Sequence, residues 1–184
     1  MNLMPFDELN VLKATLPMHF ENGRIKSEKD CEDIIDEMLD LFLLAYANGV
    51  EDVRQSLDTD IQPDIDTVME TVDRPIAGKT WRQRVREYYE NGGTEADIMR
   101  IAETESHRDS NEAAYVTAKE AGASEKVWHC MMLPTSRDTH IYLNNVSAPI
   151  DGAFYTFNGD SAQFPGQFGI AEEDVNCLCF LSYR

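Results

Sequence analysis

The 184-residue chain has no long apolar run. Its longest, Leu41 to Ala47, falls far short of the ~20 residues a membrane-spanning helix needs. The start, Met1 to Asp7, lacks the basic stretch and long apolar core of a secretory signal. Cysteine is scarce, four in all. With no export signal, that points to a reducing compartment rather than a disulfide framework. Basic residues are outnumbered, 16 Lys and Arg against 34 Asp and Glu, for a formal net charge of −18. This excludes an ordinary basic nucleic-acid binder, which neutralises phosphates with a cationic excess. The glycine-rich phosphate cradles and the common hydrolase motifs are absent too. What is present is a chain 42% hydrophobic, enough to bury a core.

The charge is unevenly placed. Residues 28–73 carry 15 acids against Lys29 and Arg54. The next 13 residues hold Arg74, Lys79, Arg82, Arg84 and Arg86 and no acid. An acidic segment followed by a basic one can pair with itself, with a second copy or with two different partners, or form two solvated faces.

Periodicity predicts helices first and strands last. Ser27 with Asp30 reads as a helix start. Behind it Cys31, Ile34, Ile35, Met38, Leu41, Phe42 and Ala45 form one apolar stripe, which Gly49 either ends or lets continue to Val53. A short helix is expected over Ile65–Val72, between Gln62-Pro63 and Arg74-Pro75. Another contains Trp81, Val85 and Tyr88 and stops at Gly92. A long one starts at Thr94 and runs to about Gly122. Seven residues beyond Ile98, its apolar stripe meets Glu105, a carboxylate on the core side that needs a partner. Strands are expected at 126–133, 153–157 and 177–183. The fold class is therefore α+β, with an acidic helical arm (1–73) ahead of a module (74–184) in which a long helix packs on a short antiparallel sheet.

Few residues carry chemistry. Cys177 and Cys179, two apart on an expected strand, would share a face, and with His140 and either Cys130 or His129 could hold zinc. Both also suit a packed core as small hydrophobes. A Cys130–His140 nucleophile pair is the other reading of these residue types. Arg137, in the polar stretch Ser136 to His140, is the expected partner of Glu105.

Ordered motifs run from Ile98 to Leu181. They are Arg100-Ile101-Ala102-Glu103-Thr104-Glu105 with Asn111, then Trp128, Arg137-Asp138-Thr139-His140, Ala148-Pro149-Ile150-Asp151 with Phe154, Pro165-Gly166 and Asn176-Cys177-Leu178-Cys179. In order and spacing this resembles the phage head morphogenesis family, the phage Mu F-like or SPP1-type minor head proteins. Glu103, Asn145 and Leu178 depart from that pattern, and the first Asp and Arg of its D-x-R-T-R element are missing.

The resemblance implies a non-enzymatic minor capsid protein of a virion, in the head interior or portal region and in the host cytoplasm during assembly, with portal and capsid proteins as partners. Some family members carry a fused toxin domain after this module, whereas this chain stops at Arg184. Glu105, Arg137, His140 and Asn176 would be a structural knot. Arg74, Lys79, Arg82, Arg84 and Arg86 would contact a partner, DNA included. No cofactor is expected beyond a structural zinc on His140, Cys177 and Cys179, and neither a membrane nor a small-molecule substrate. The alternatives are an internal DNA-contacting virion protein and a Cys/His or zinc-dependent hydrolase.

Overall fold

The computed structural model describes residues 6–76 and 78–184. Helix α1 (Phe6–Thr15) leads through a 3-10 turn at Leu16–His19 into a two-stranded ribbon, β1 (Phe20–Glu21) and β2 (Arg24–Ile25). The 30-residue α2 (Glu28–Leu57) follows, with the Ser27 side chain accepting the Asp30 N–H as its N-cap. Its apolar stripe is buried from Cys31 through Ala45 to Val53. Gly49 does not end it. There α2 lies so close to α5 (Glu95–Glu120) that a β-carbon on Gly49 would fall onto the Ser110 carbonyl oxygen. The missing side chain that weakens a helix in isolation here admits a neighbouring backbone.

Two shorter helices complete this half. Helix α3 (Ile65–Val72) lies between the two expected proline breaks, and α4 (Trp81–Asn91) ends at Gly92 with φ +87°. A capping box of Thr94 and Asp97 opens α5. The first apolar cluster joins Leu12, Leu16, Ile34, Met38, Phe42, Trp81, Val85, Ile98 and Ile101. Residues from α1, α2, α4 and α5 thus share one core, with the Trp81 and Phe42 rings edge to face at 4.9 Å.

The remainder is a small antiparallel sheet, as expected. Its order is β4–β3–β7, with β3 (Glu125–His129) at the centre, β4 (Ser147–Pro149) on one side and β7 (Phe180–Tyr183) on the other. Short helix α6 (Asp138–Leu143) precedes β4. The ribbon β5 (Phe154–Tyr155) and β6 (Ser161–Ala162) and the one-turn α7 (Ala171–Asp174) come before β7. The second cluster gathers Tyr115, Trp128, Leu143, Phe154, Phe164 and Leu181 around Cys177 and Cys179. The three expected strands are present in shortened form as β3, β5 and β7. Of these, β5 pairs with β6 outside this sheet, β4 was not expected, and both cysteines precede β7 rather than sit in it.

Candidate functional site

Helix α5 is polar where it is most buried. Thr104, Glu105, Ser106, His107, Arg108 and Asp109 are all shielded from solvent. Helical spacing sorts them and the next turn into two rows. Thr104, His107 and Asn111 face the loop before β7. Thr104 Oγ1 accepts the Asn176 N–H at 3.2 Å, while His107 Nε2 and Asn111 Nδ2 both donate to the Cys179 carbonyl, at 2.7 and 3.1 Å. Asn176 adopts φ +57°, and its left-handed turn directs the chain back into the core.

The second row is Glu105, Arg108, Asp109 and Glu112. Arg108 Nη2 lies 2.7 Å from Asp109 Oδ1, and Nη1 lies 2.8 Å from Glu105 Oε2. Arg108 also donates to the carbonyls of Thr71 and Arg74. Burial opposes its charge, but Asp109 and Glu105 raise its pKa. Burial pushes Asp109 well above the ordinary carboxylate range, and pushes Glu112 up as well. The core-side position expected of Glu105 is real: it is completely buried. Its partners, however, are Arg84 and Arg108 and not Arg137. Arg137 instead donates to the Val175 carbonyl.

The five clustered cations are spent within the chain. Arg74 lies 2.6 Å from Glu112, Lys79 2.8 Å from Glu87, and Arg82 2.9 Å from Asp73. Arg84 pairs with Glu105, and Arg86 meets both carboxylate oxygens of Glu32 at 3.0 Å. Two of the five thus reach back to the acidic segment. These pairings offset much of the segment's charge, although Arg74 stays half exposed.

The cysteines and histidine do converge. His140 on α6 places Nδ1 3.5 Å from Cys177 Sγ and 3.4 Å from Cys179 Sγ, with all three residues buried. Its other nitrogen lies 2.9 Å from Glu173 Oε2, and Thr139 Oγ1 donates to the same oxygen at 2.8 Å. The hydrogen bond from Cys179, helped by His140, holds the Cys177 thiol well below its usual pKa, while the same bond pushes Cys179 up. Residues of this kind in this placement can hold a metal ion. His129 is elsewhere, against Ser182 and stacked on Phe180. Cys130 borders a cavity of about 30 Å³ beside the trio.

Two larger cavities adjoin the polar stretch of α5 from Thr104 to Glu112. One of about 320 Å³ lies between α2, α5 and β7 and reaches His107 and Asn111. The other, of about 200 Å³, is lined by Arg74, Arg108, Glu112, Gly166, Gly169 and Asp174 among others. Asp174 accepts the N–H groups of Phe168 and Gly169, and burial nonetheless raises its pKa to about 6.

No family model and no solved structure matches the chain. Among curated proteins it is similar to NAD(+)--arginine ADP-ribosyltransferase EFV of Enterococcus faecalis, with 31% identity over 148 residues. The match covers 62% of this chain and 30% of that protein, so the chain spans less than a third of its relative's length. This corrects the resemblance to the phage head morphogenesis family. With it go the non-enzymatic minor capsid function, the virion and portal association, and the expectation that the chain is not an enzyme, since the relative is named as one. The motifs behind that resemblance centre on Glu105, His140, Asn176 and the cysteine pair, all built into the buried centre or its edge.

Among the described residues, sequence reading missed Arg108, Asp109, Glu112, His107 and Glu173. The signal for the first three was available: they lie three, four and seven positions beyond Glu105, on the same side of one helix. His107 and Asn111 likewise follow Thr104 by three and seven.

Proposed function

We propose that this chain works in NAD⁺-dependent ADP-ribosylation of arginine, as a unit of a protein of the kind its enterococcal relative is named for. The observation that carries this is the 31% identity over 148 residues. Such a transfer breaks the bond between nicotinamide and the ribose carbon, and nicotinamide leaves with the bonding pair. A guanidino nitrogen forms the new bond to that carbon and gives up its proton to a base. A site for it needs a cation facing the diphosphate and a carboxylate facing the positive charge that develops on the sugar.

The cavity beside Arg74 offers these types together. Arg74 is half exposed at its rim, and Glu112 and Asp174 lie in its wall. Burial raises both carboxylates, Asp174 to about 6, the range in which a group can take and return a proton near neutrality. Incubating the full chain with NAD⁺ and agmatine, a small guanidine, is expected to release nicotinamide and yield ADP-ribosyl-agmatine by mass spectrometry. Glu112→Gln should lower the rate by about a hundredfold or more. Absence of both NAD⁺ binding by calorimetry and transfer by the wild-type chain would overturn the reading. Transfer undiminished in E112Q would leave the reaction standing and remove this cavity from it.

We propose also that His140, Cys177 and Cys179 hold Zn²⁺, joining α6 to the loop before β7. For Zn–S near 2.3 Å and Zn–N near 2.0 Å, the S···N edge of a tetrahedron is about 3.5 Å. The observed separations of 3.5 and 3.4 Å are close to that edge. Glu173 on the far ring nitrogen is the carboxylate that commonly orients a metal-binding histidine. Elemental analysis of the protein purified without chelator should find one zinc per chain.

A further inference from the structure

We infer that the metal on His140, Cys177 and Cys179 keeps an exchangeable fourth position, opening on the small cavity beside Arg137, and that this position takes water or a small monodentate anion. The inference rests on the zinc reading above and is independent of the NAD⁺ reading. Tetrahedral zinc needs four donors, and a site with three protein donors keeps a place for solvent or substrate. Among the described residues, no further His, Cys, Asp or Glu donor lies close enough to all three to join the group. What adjoins them is a cavity of about 30 Å³, lined by all three metal-binding residues together with Cys130, Arg137 and Asn176. That is room for one water molecule or an atom group of similar size.

Charge decides what the place prefers. A dication with two thiolates and a neutral imidazole is electroneutral once both thiol protons have passed to solvent. Arg137 then sets the local sign. Its described hydrogen bond goes to the Val175 carbonyl, and among the described residues it has no carboxylate within ion-pair distance. A guanidinium held by one carbonyl keeps donors to spare for an anion. Glu173 meets His140 on its other nitrogen, not on the one facing the thiols. Cys130 is the alternative fourth donor. It borders the cavity, and a rotation of its side chain would convert the place into a closed site.

Cobalt in place of zinc reads these cases apart in the full chain. Co²⁺ bound by two thiolates should give thiolate-to-metal charge-transfer bands and visible bands of tetrahedral intensity. Chloride or bromide, monatomic anions of about the size of that cavity, should shift the visible bands saturably. Arg137→Ala should weaken that anion response by about tenfold while leaving the thiolate bands in place, and Cys130→Ala should leave the spectrum unchanged. Visible bands indifferent to both anions would overturn the inference. So would thiolate bands that lose intensity in C130A, which would make Cys130 the fourth ligand. Absence of thiolate bands in the wild-type chain would remove the metal reading itself, and the inference with it.

Discussion

Lys126 shows how one residue can work against its own fold. It occupies the middle strand, is fully buried, and its Nζ is 4.4 Å from the centre of the Tyr115 ring without a hydrogen-bond partner. Burial lowers its pKa from 10.5 to about 8. Unfolding between those pH values takes up a proton, so rising pH favours the fold, and below about pH 8 the full cost of burying the ammonium, about 3 kcal/mol, is present. The face of Tyr115 offsets about 1–2 kcal/mol of it. Lys126→Met is therefore expected to be more stable than wild type at pH 7 by about 1 kcal/mol in urea titrations. The gap should close as the pH approaches 10, because only the wild type gains stability over that range. A gap constant from pH 7 to 10 would mean that the ammonium has found a partner in solution.

Alternation puts Lys126 on the face of Trp128 and opposite Val127, but which of the two faces is inward is set by how the strand packs. Glu105 was readable because seven residues of helix separate it from Ile98. Of its partners, Arg108 was readable in the same way, three residues on along the same helix, but Arg84 was not, because its distance to the carboxylate is set by how α4 crosses α5.

At the scale of the element, α2 against α5 is the contact on which the rest is assembled. The pair touches backbone to backbone at Gly49 and Ser110. Gly49→Val is expected to destabilise the protein by at least about 3 kcal/mol, since the branched side chain can enter only by separating the helices. Chemical denaturation and the lost far-ultraviolet helix signal would measure it. A loss under 1 kcal/mol would mean that α5 shifts without cost. The ends of α2, α3, α4 and α5 were legible from Ser27, the two prolines, Gly92 and Thr94, since capping is local chemistry. The passage of α2 through Gly49 was not, since it depends on a helix sixty residues away. Sheet boundaries were poorly legible for the same reason: β3 has partners 20 and 55 residues downstream. The convergence of Cys177 and Cys179 was anticipated for the wrong reason. It comes from the loop turning at Asn176 and held by α5, not from the two-residue repeat of a strand.

Over the whole molecule, the −18 is an accounting of surfaces more than of the centre. The buried carboxylates Glu105, Asp109 and Glu112 are set against Arg84, Arg108 and Arg74, so that set is close to neutral, while residues 28–73, with 15 acids against two cations, carry most of the excess. Breaking one member of such a set costs more than its pairs contribute, because a charge is stranded where water cannot reach it. Helix α5 links the two apolar clusters, giving Ile98 and Ile101 to one and Tyr115 to the other. At equilibrium the molecule should therefore unfold as one unit.

The two tryptophans fall one to each cluster, Trp81 among the helices and Trp128 in the sheet. Each half therefore carries its own fluorescent reporter, and Trp81→Phe and Trp128→Phe isolate them. Urea transitions of the two variants, followed by fluorescence and by circular dichroism, should coincide within each protein. Refolding should separate the reporters in time. The helical core forms largely from near neighbours in the chain, whereas β3 waits for β7 to cross half a hundred residues of loop, and such closures are slow. The Trp81 signal should accordingly lead the Trp128 signal after dilution from urea. The thiols beside Trp128 would then be assembled last, so an oxidant present during refolding meets them exposed, while in the finished protein they are buried.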